Sequence, residues 1–166
     1  MNKTGISLFI PGLGKRTIRA VISDFTGTLS VDGKLTSCAR ESLSKLSKKV
    51  DLYVVTADTC NTAAGELRGL PLKMHKLKGP GGDHDLQKRQ FLSRFDSRVV
   101  AALGNGNNDR LLLKAVKEAG GLAVAVDNGE GCAVDSIQNA NLFVSGVSNA
   151  LNLLLKTDRL KATLRF

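Results

Sequence analysis

The stretch AVISDFTGTLS spans Ala20–Ser30. Ala20-Val21-Ile22 is a short apolar run with β-branched residues, the pattern of a strand buried in a sheet. The run ends on Ser23-Asp24, and the chain then turns through Thr26-Gly27-Thr28 before Leu29. Glycine leaves room for a bend and for backbone N–H groups to approach a ligand closely. In open α/β sheets, ligands bind beyond the carboxyl ends of the strands, which places Asp24 where chemistry is to be sought. The alternative is structural, since Asp and Asn also serve as turn formers and caps.

On either side, apolar runs alternate with helical patterns. Ile6–Ile10 reads as a strand closed by the turn Pro11-Gly12-Leu13-Gly14, with Thr17–Ser23 as the second arm of that hairpin running on into the core. Val31-Asp32-Gly33-Lys34 carries an Asp-Gly hairpin signal, a small flap after the opening motif. Leu35, Ala39, Leu43, Leu46 and Val50 recur at helical spacing. Further strands are expected at Leu52–Val55, Leu72–Leu77, Val99–Leu103, Leu122–Val126 and Leu142–Val144. Helices are expected at Thr59–Leu67, Asp83–Phe95, Asn108–Ala119 and Val147–Leu155. This alternation implies one α/β domain over residues 1–166, a mainly parallel sheet with helices on both faces.

Two more apolar runs end on polar residues able to share a site with Asp24. Leu52–Val55 leads to Thr56-Ala57-Asp58, and Val99–Leu103 leads to Gly104-Asn105-Gly106-Asn107-Asn108-Asp109. Carboxylates from two strand ends can hold a Mg²⁺ ion. Threonine hydroxyls and loop N–H groups can hold phosphate oxygens. Lys88 falls on the apolar face of the Asp83–Phe95 helix, ahead of Phe91, Leu92 and Phe95. A lysine there either snorkels out to solvent or points its ammonium into a pocket.

DFTGTL at Asp24–Leu29, TADT at Thr56–Thr59, Lys88 and GNGNND at Gly104–Asp109 together resemble the signature stretches of the haloacid dehalogenase superfamily of phosphotransferases. The Thr-Gly-Thr form is similar to that of P-type ATPases. With no membrane-spanning run, the chain resembles the soluble P-type-ATPase-like phosphatases of that superfamily. The resemblance implies a three-layer Rossmann-like core, Mg²⁺ as cofactor and a phosphorylated substrate, either a small one sealed in by a neighbouring subunit or a macromolecular one reaching an open site. It implies that Asp24 is the nucleophile, taking the phosphoryl group as an aspartyl-phosphate. Mg²⁺ would be held by Asp24, the backbone carbonyl of Thr26 and Asp109, with Asn105 nearby. Thr56 and Ala57 would bind phosphoryl oxygens, and Lys88 would neutralise charge on nucleophile and phosphate.

Two departures from that pattern carry consequences. Thr26 stands where most phosphatases of the superfamily have a second aspartate. A threonine hydroxyl is a poor acid or base near neutral pH, so a term typically worth about 10²–10⁴-fold is weakened. Slow turnover is expected, and a phosphate-binding module with little turnover is the competing reading. Asn105 in place of an aspartate removes one negative charge from the metal site, so weaker Mg²⁺ binding is expected. The spacings 56 − 24 = 32 and 88 − 56 = 32 residues leave no room for an inserted cap domain. The tail Leu151–Phe166, basic and amphipathic, is a candidate subunit contact.

Composition narrows the class further. Of 166 residues, 42% are hydrophobic and 23% charged, which is a globular balance. The net charge of 24 − 15 = +9 gives a surface that attracts anions. Nucleic acid is a third candidate partner, although seven aromatic residues supply few stacking platforms. Three scattered cysteines (Cys38, Cys60, Cys132) argue for a reducing compartment and against a disulfide framework. No run reaches the length of a membrane span, and the N-terminus lacks a signal-peptide core, so the expected location is the cytosol.

Three signals are set aside. PGLGKRT lacks the first glycine of a P-loop, because Phe9 stands there, and reads as a hairpin turn. The acidic pair among His75, Asp83, His84 and Asp85 reads as a helix start, not a transition-metal cluster. Asp58 reads as a cap of the next helix that also orders the phosphate site.

Overall fold

The computed structural model describes residues 3–166. β1 (Ile6–Ile10) and β2 (Gly14–Ile18) pair as an antiparallel hairpin outside the main sheet. β3 (Ala20–Ser23) starts anew after Arg19. The single arm expected over Thr17–Ser23 is therefore two strands in different sheets. Arg19 makes the break: its N–H donates to Val99 O, and its carbonyl accepts from Asp51 N. All four residues of β3 are buried, as a central parallel strand covered on both faces requires.

The chain then forms β4 (Ser30–Val31) and β5 (Lys34–Leu35), joined by Asp32 and Gly33 at φ 50° and 72°. This pair of left-handed residues is what a two-residue hairpin turn demands. Leu35, placed by its spacing in a helix, lies instead in β5. The helix α1 (Ser37–Ser47) starts later because Thr36 caps it, its side chain accepting from Ala39 N at 3.2 Å. There follow β6 (Asp51–Thr56), α2 (Ala63–Glu66), β7 (Lys73–Lys76), α3 (His84–Leu92), β8 (Val100–Gly104) and α4 (Arg110–Glu118). β9 (Leu122–Asp127), α5 (Val134–Gln138), β10 (Leu142–Ser145), α6 (Val147–Leu155) and α7 (Thr157–Leu164) complete the chain.

Three helices differ from expectation, among them α7, read from the sequence only as part of a basic, amphipathic tail. α2 is one turn, not the span Thr59–Leu67, because Asp58 and Asn61 take left-handed φ values of 53° and 51° that no helix accommodates. α5 was not foreseen: of its five residues only Ser136 is buried, so no apolar period marks it.

β3 and β6–β10 form one parallel sheet in the order β10-β9-β8-β3-β6-β7. Alternating side chains feed two cores. Val21, Leu52, Val54, Ala101 and Leu103 join α1, α6 and α7 on one face. Ala20, Ile22, Val55, Val100 and Ala102 join α3 and α4 on the other. Leu151, Leu154 and Leu160 of the tail are buried in the first core, so its apolar side is largely occupied within the chain. Among the described residues, no helix is long and apolar enough to cross a membrane.

Candidate active site

β3 lies between β8 and β6, with Ser23 in register with both Leu103 and Val54. The carboxyl ends of the three strands that carry the motifs are thus neighbours. Asp24 N donates to Leu103 O at 3.0 Å, fixing the residue as it leaves the strand. Phe25 is fully buried, and its carbonyl accepts from the N–H groups of Thr28, Leu29 and Ser30 at 3.3, 2.9 and 2.9 Å. The Ser30 hydroxyl adds a fourth bond at 3.0 Å. One carbonyl therefore gathers the whole loop, and Gly27 supplies the φ of 73° that the turn needs.

Lys88 is the charge at the centre. It is fully buried, and its Nζ lies 2.7 Å from Asp109 Oδ1 and 3.1 Å from Asp24 Oδ1. The pocket alternative read from the helix spacing is the one the fold adopts. Asp109 is held from its other side, where Oδ2 accepts the N–H groups of Asn105 and Gly106 at 3.1 and 3.0 Å. Gly104 must lack a side chain, since a Cβ there would collide with Asp109.

Two buried carboxylates share one ammonium, so a net negative charge remains. Burial pushes the Asp24 carboxyl up to about 6, against the pull of the Lys88 ammonium and with a further push from Asp109. Burial alone would depress Lys88, yet the Asp109 and Asp24 carboxylates outweigh it and hold the ammonium above its usual range. Lys88 therefore stays charged at neutral pH.

The remaining candidates fall around this centre in different ways. Thr56 ends β6, and its Oγ1 accepts from Asp58 N at 2.9 Å, with Ala57 between them. Asp58 Oδ1 accepts from Ala63 N at 3.0 Å at the start of α2, the capping role expected of it, and its Oδ2 meets Lys76 Nζ at 3.4 Å. The Thr26 hydroxyl oxygen is buried without a hydrogen-bond partner. The Asn105 amide forms a bridge: its Oδ1 accepts from the Thr28 hydroxyl at 2.9 Å and its Nδ2 donates to Gly131 O at 3.3 Å. Asn105 thus fastens the Asp24 loop to the loop after β9.

Sequence reasoning missed the residues that fasten the β4–β5 hairpin. Glu130 accepts from Asp32 N at 2.6 Å, Thr62 donates to Gly33 O at 2.7 Å, and Glu66 accepts from Leu35 N at 2.9 Å. These partners lie 98, 29 and 31 positions apart, beyond any local pattern. Burial, Asp127 and Asp109 push the Cys132 thiol up, away from a reactive thiolate.

The donors suit a hard divalent cation. Asp24 and Asp109 offer carboxylate oxygens at one point, and the shared ammonium leaves their charge half neutralised. Mg²⁺ is commonly held by one or two carboxylates with water completing its shell. Asp24, Asp109 and the Thr26 carbonyl are the residues that would hold it, while the amide of Asn105 is already engaged.

No family model matches the chain. Over 69 residues, 42% of the chain, it is 41% identical to the uncharacterized protein MJ0073 of Methanocaldococcus jannaschii, 70% of which is covered. The two belong to one family. Among solved structures, the chain superposes on the 3-deoxy-D-manno-octulosonate 8-phosphate phosphatase of Moraxella catarrhalis, solved with magnesium, phosphate and the sugar acid. The TM-score is 0.64 and the identity 20%, over 89% of this chain and 94% of that one. A haloacid dehalogenase-like hydrolase of Streptococcus pneumoniae matches at TM-score 0.59 and 14% identity, over 84% of this chain and 99% of that one.

This is the haloacid dehalogenase fold.

The cobalt-bound deoxy-D-mannose-octulosonate 8-phosphate phosphatase of Haemophilus influenzae shares it, at TM-score 0.61 and 13% identity over 90% of this chain and 94% of that one. In this chain the β4–β5 hairpin lies between β3 and α1, and a short loop joins β7 to α3.

Proposed function

We propose that the chain is a Mg²⁺-dependent phosphohydrolase acting through an aspartyl-phosphate on Asp24. The observation that carries this reading is the fully buried Lys88 ammonium between the Asp24 and Asp109 carboxylates at adjoining strand ends. A lysine buried this way in a purely structural role would be a poor bargain, since replacing buried ion pairs by apolar residues is often neutral or stabilising. Phosphoryl transfer, by contrast, depends on positioning and charge compensation.

Asp24 ionises near pH 6 and is a carboxylate at neutral pH. One of its oxygens attacks phosphorus, the ester P–O bond breaks, and the leaving alkoxide takes a proton from water. A second water then attacks phosphorus, the bond to Asp24 breaks, and phosphate departs. Lys88 compensates negative charge in both steps, while Thr56 and the Ala57 N–H orient the phosphoryl oxygens. Mg²⁺, when bound by Asp24, Asp109 and the Thr26 carbonyl, supplies further charge compensation. The preferred substrate is a small phosphorylated compound with a good leaving group, because Thr26 offers no efficient proton donor.

The decisive experiment is hydrolysis of p-nitrophenyl phosphate with and without Mg²⁺, in the native chain and in Asp24→Asn. Phosphate release that survives the substitution sinks the proposal. The unpartnered Thr26 hydroxyl also favours a second reading, a phosphate-binding module with little turnover. Tight Mg²⁺-dependent binding of beryllium fluoride without hydrolysis would select it.

A further inference from the structure

A groove between β7 and α3 has an aromatic floor and a basic rim. Two adjoining hollows of about 350 and 430 Å³ share His75, Phe91 and Arg94. Tyr53, Phe91 and Phe95 pack together beneath, with ring centroids 4.8 to 5.9 Å apart. Lys73 Nζ lies 5.7 Å from the Tyr53 centroid, and the Arg94 guanidinium lies 4.9 Å from that of Phe91. Lys78 extends the rim, and among the described residues no carboxylate lines either hollow.

Among the described residues, β7 is also the last strand of the sheet, paired on one side with β6 and open on the other. Lys73 and His75 are in register with Tyr53 and Val55, so they share the face that packs on α3. An open edge and a groove of one charge thus run side by side.

We propose that this edge docks an extended acidic peptide of a partner protein as an added strand on β7. The open backbone supplies main-chain hydrogen bonds, and alternate side chains of an added strand fall into the hollows. Lys73, Lys78 and Arg94 complement carboxylates on that strand. Single-stranded nucleic acid is served less well. Bases need free ring faces, whereas Lys73 and Arg94 lie over Tyr53 and Phe91, and His75 sits 5.0 Å from Phe91. Edge lysines alone often guard a strand against pairing, but such a guard needs no roomy apolar groove beside it.

The test titrates the full chain into a fluorescently labelled peptide of alternating glutamate and valine at low salt. Saturable binding is expected, weakening with added salt and by about tenfold in Lys73→Glu and Arg94→Glu. Lys156→Glu, at the α6–α7 junction on the other face, should bind as the native chain does. Methylating alternate backbone nitrogens of the peptide should abolish binding, and oligo-dT should not displace it. Absence of saturable binding, indifference to both charge reversals or to backbone methylation, or displacement by oligo-dT would each overturn the proposal. Amide shift mapping on the native chain gives an independent readout, expected at Lys73–Lys76 and α3; shifts confined to other surfaces would overturn it as well.

Discussion

The Lys88 ammonium lies 2.7 Å from Asp109 Oδ1, and neither side chain reaches solvent. A buried pair of this kind is poorly compensated once either member is removed. Lys88→Met leaves two carboxylates facing one another without a counter-charge. The expected cost is about 3–5 kcal/mol of unfolding free energy, read from urea denaturation. Adding Asp24→Asn should restore part of that loss, and strictly additive losses in the double variant would contradict a shared charge centre.

Asp24 makes stability depend on pH in the metal-free protein. Its folded value of about 6 exceeds the ordinary 3.8, so the folded state binds the proton more tightly than the unfolded chain. The resulting stabilisation is fully present below about pH 4 and is lost as pH rises through about 6. The shift corresponds to on the order of 3 kcal/mol. Thermal unfolding across this range should show the native chain losing stability with rising pH and Asp24→Asn losing much less.

Mg²⁺ should reverse the trend. A cation favours the ionised carboxylate, and its binding releases a proton wherever Asp24 is still protonated. The rise in melting temperature on adding Mg²⁺ should therefore be larger above about pH 6 than below it. Asp24→Asn and Asp109→Asn should each remove most of the rise. An equal rise in both variants would place the ion elsewhere.

Thr26→Asp introduces a proton donor at the position where the hydroxyl oxygen has no partner. Turnover of alkyl phosphates, whose leaving groups need protonation, should increase by about 10²-fold or more. Aryl phosphates should gain less. An unchanged ratio between the two would mean that proton transfer to the leaving group does not limit the native chain.

Gly104→Ala tests the packing behind Asp109. The added methyl collides with the Asp109 side chain, so either the loop or the carboxylate must move. A destabilisation of about 1–3 kcal/mol is expected, together with a loss of the proposed phosphatase activity greater than the stability change explains.

The sequence carried the sheet and the strand ends of the candidate site because both rest on short local patterns. Apolar runs that stop on polar residues marked β3, β6 and β8 at Asp24, Thr56 and Gly104–Asp109. The helical spacing of Lys88, Phe91 and Phe95 left two outcomes for the lysine, and only tertiary packing chose between them. The break at Arg19 was missed because one charged residue inside an extended run does not by itself say that the strand changes sheet. The bonds from Glu130, Thr62 and Glu66 to the β4–β5 hairpin were invisible for a different reason, since they join positions far apart in the chain. Asn105 was legible as a member of the site but not as a bridge, because its partners Thr28 and Gly131 are set by how two loops meet.

The strand order has a consequence for synthesis. β3 pairs with β6 on one side and β8 on the other, and β8 is made long after both. Until the ribosome has released residues 100–109, one flank of β3 has no neighbour and Asp24 has no second acid beside it. A nascent chain can therefore collapse around β3 and β6 before its two acids meet, and the charge centre is complete only once β8 and the turn to Asp109 are in place.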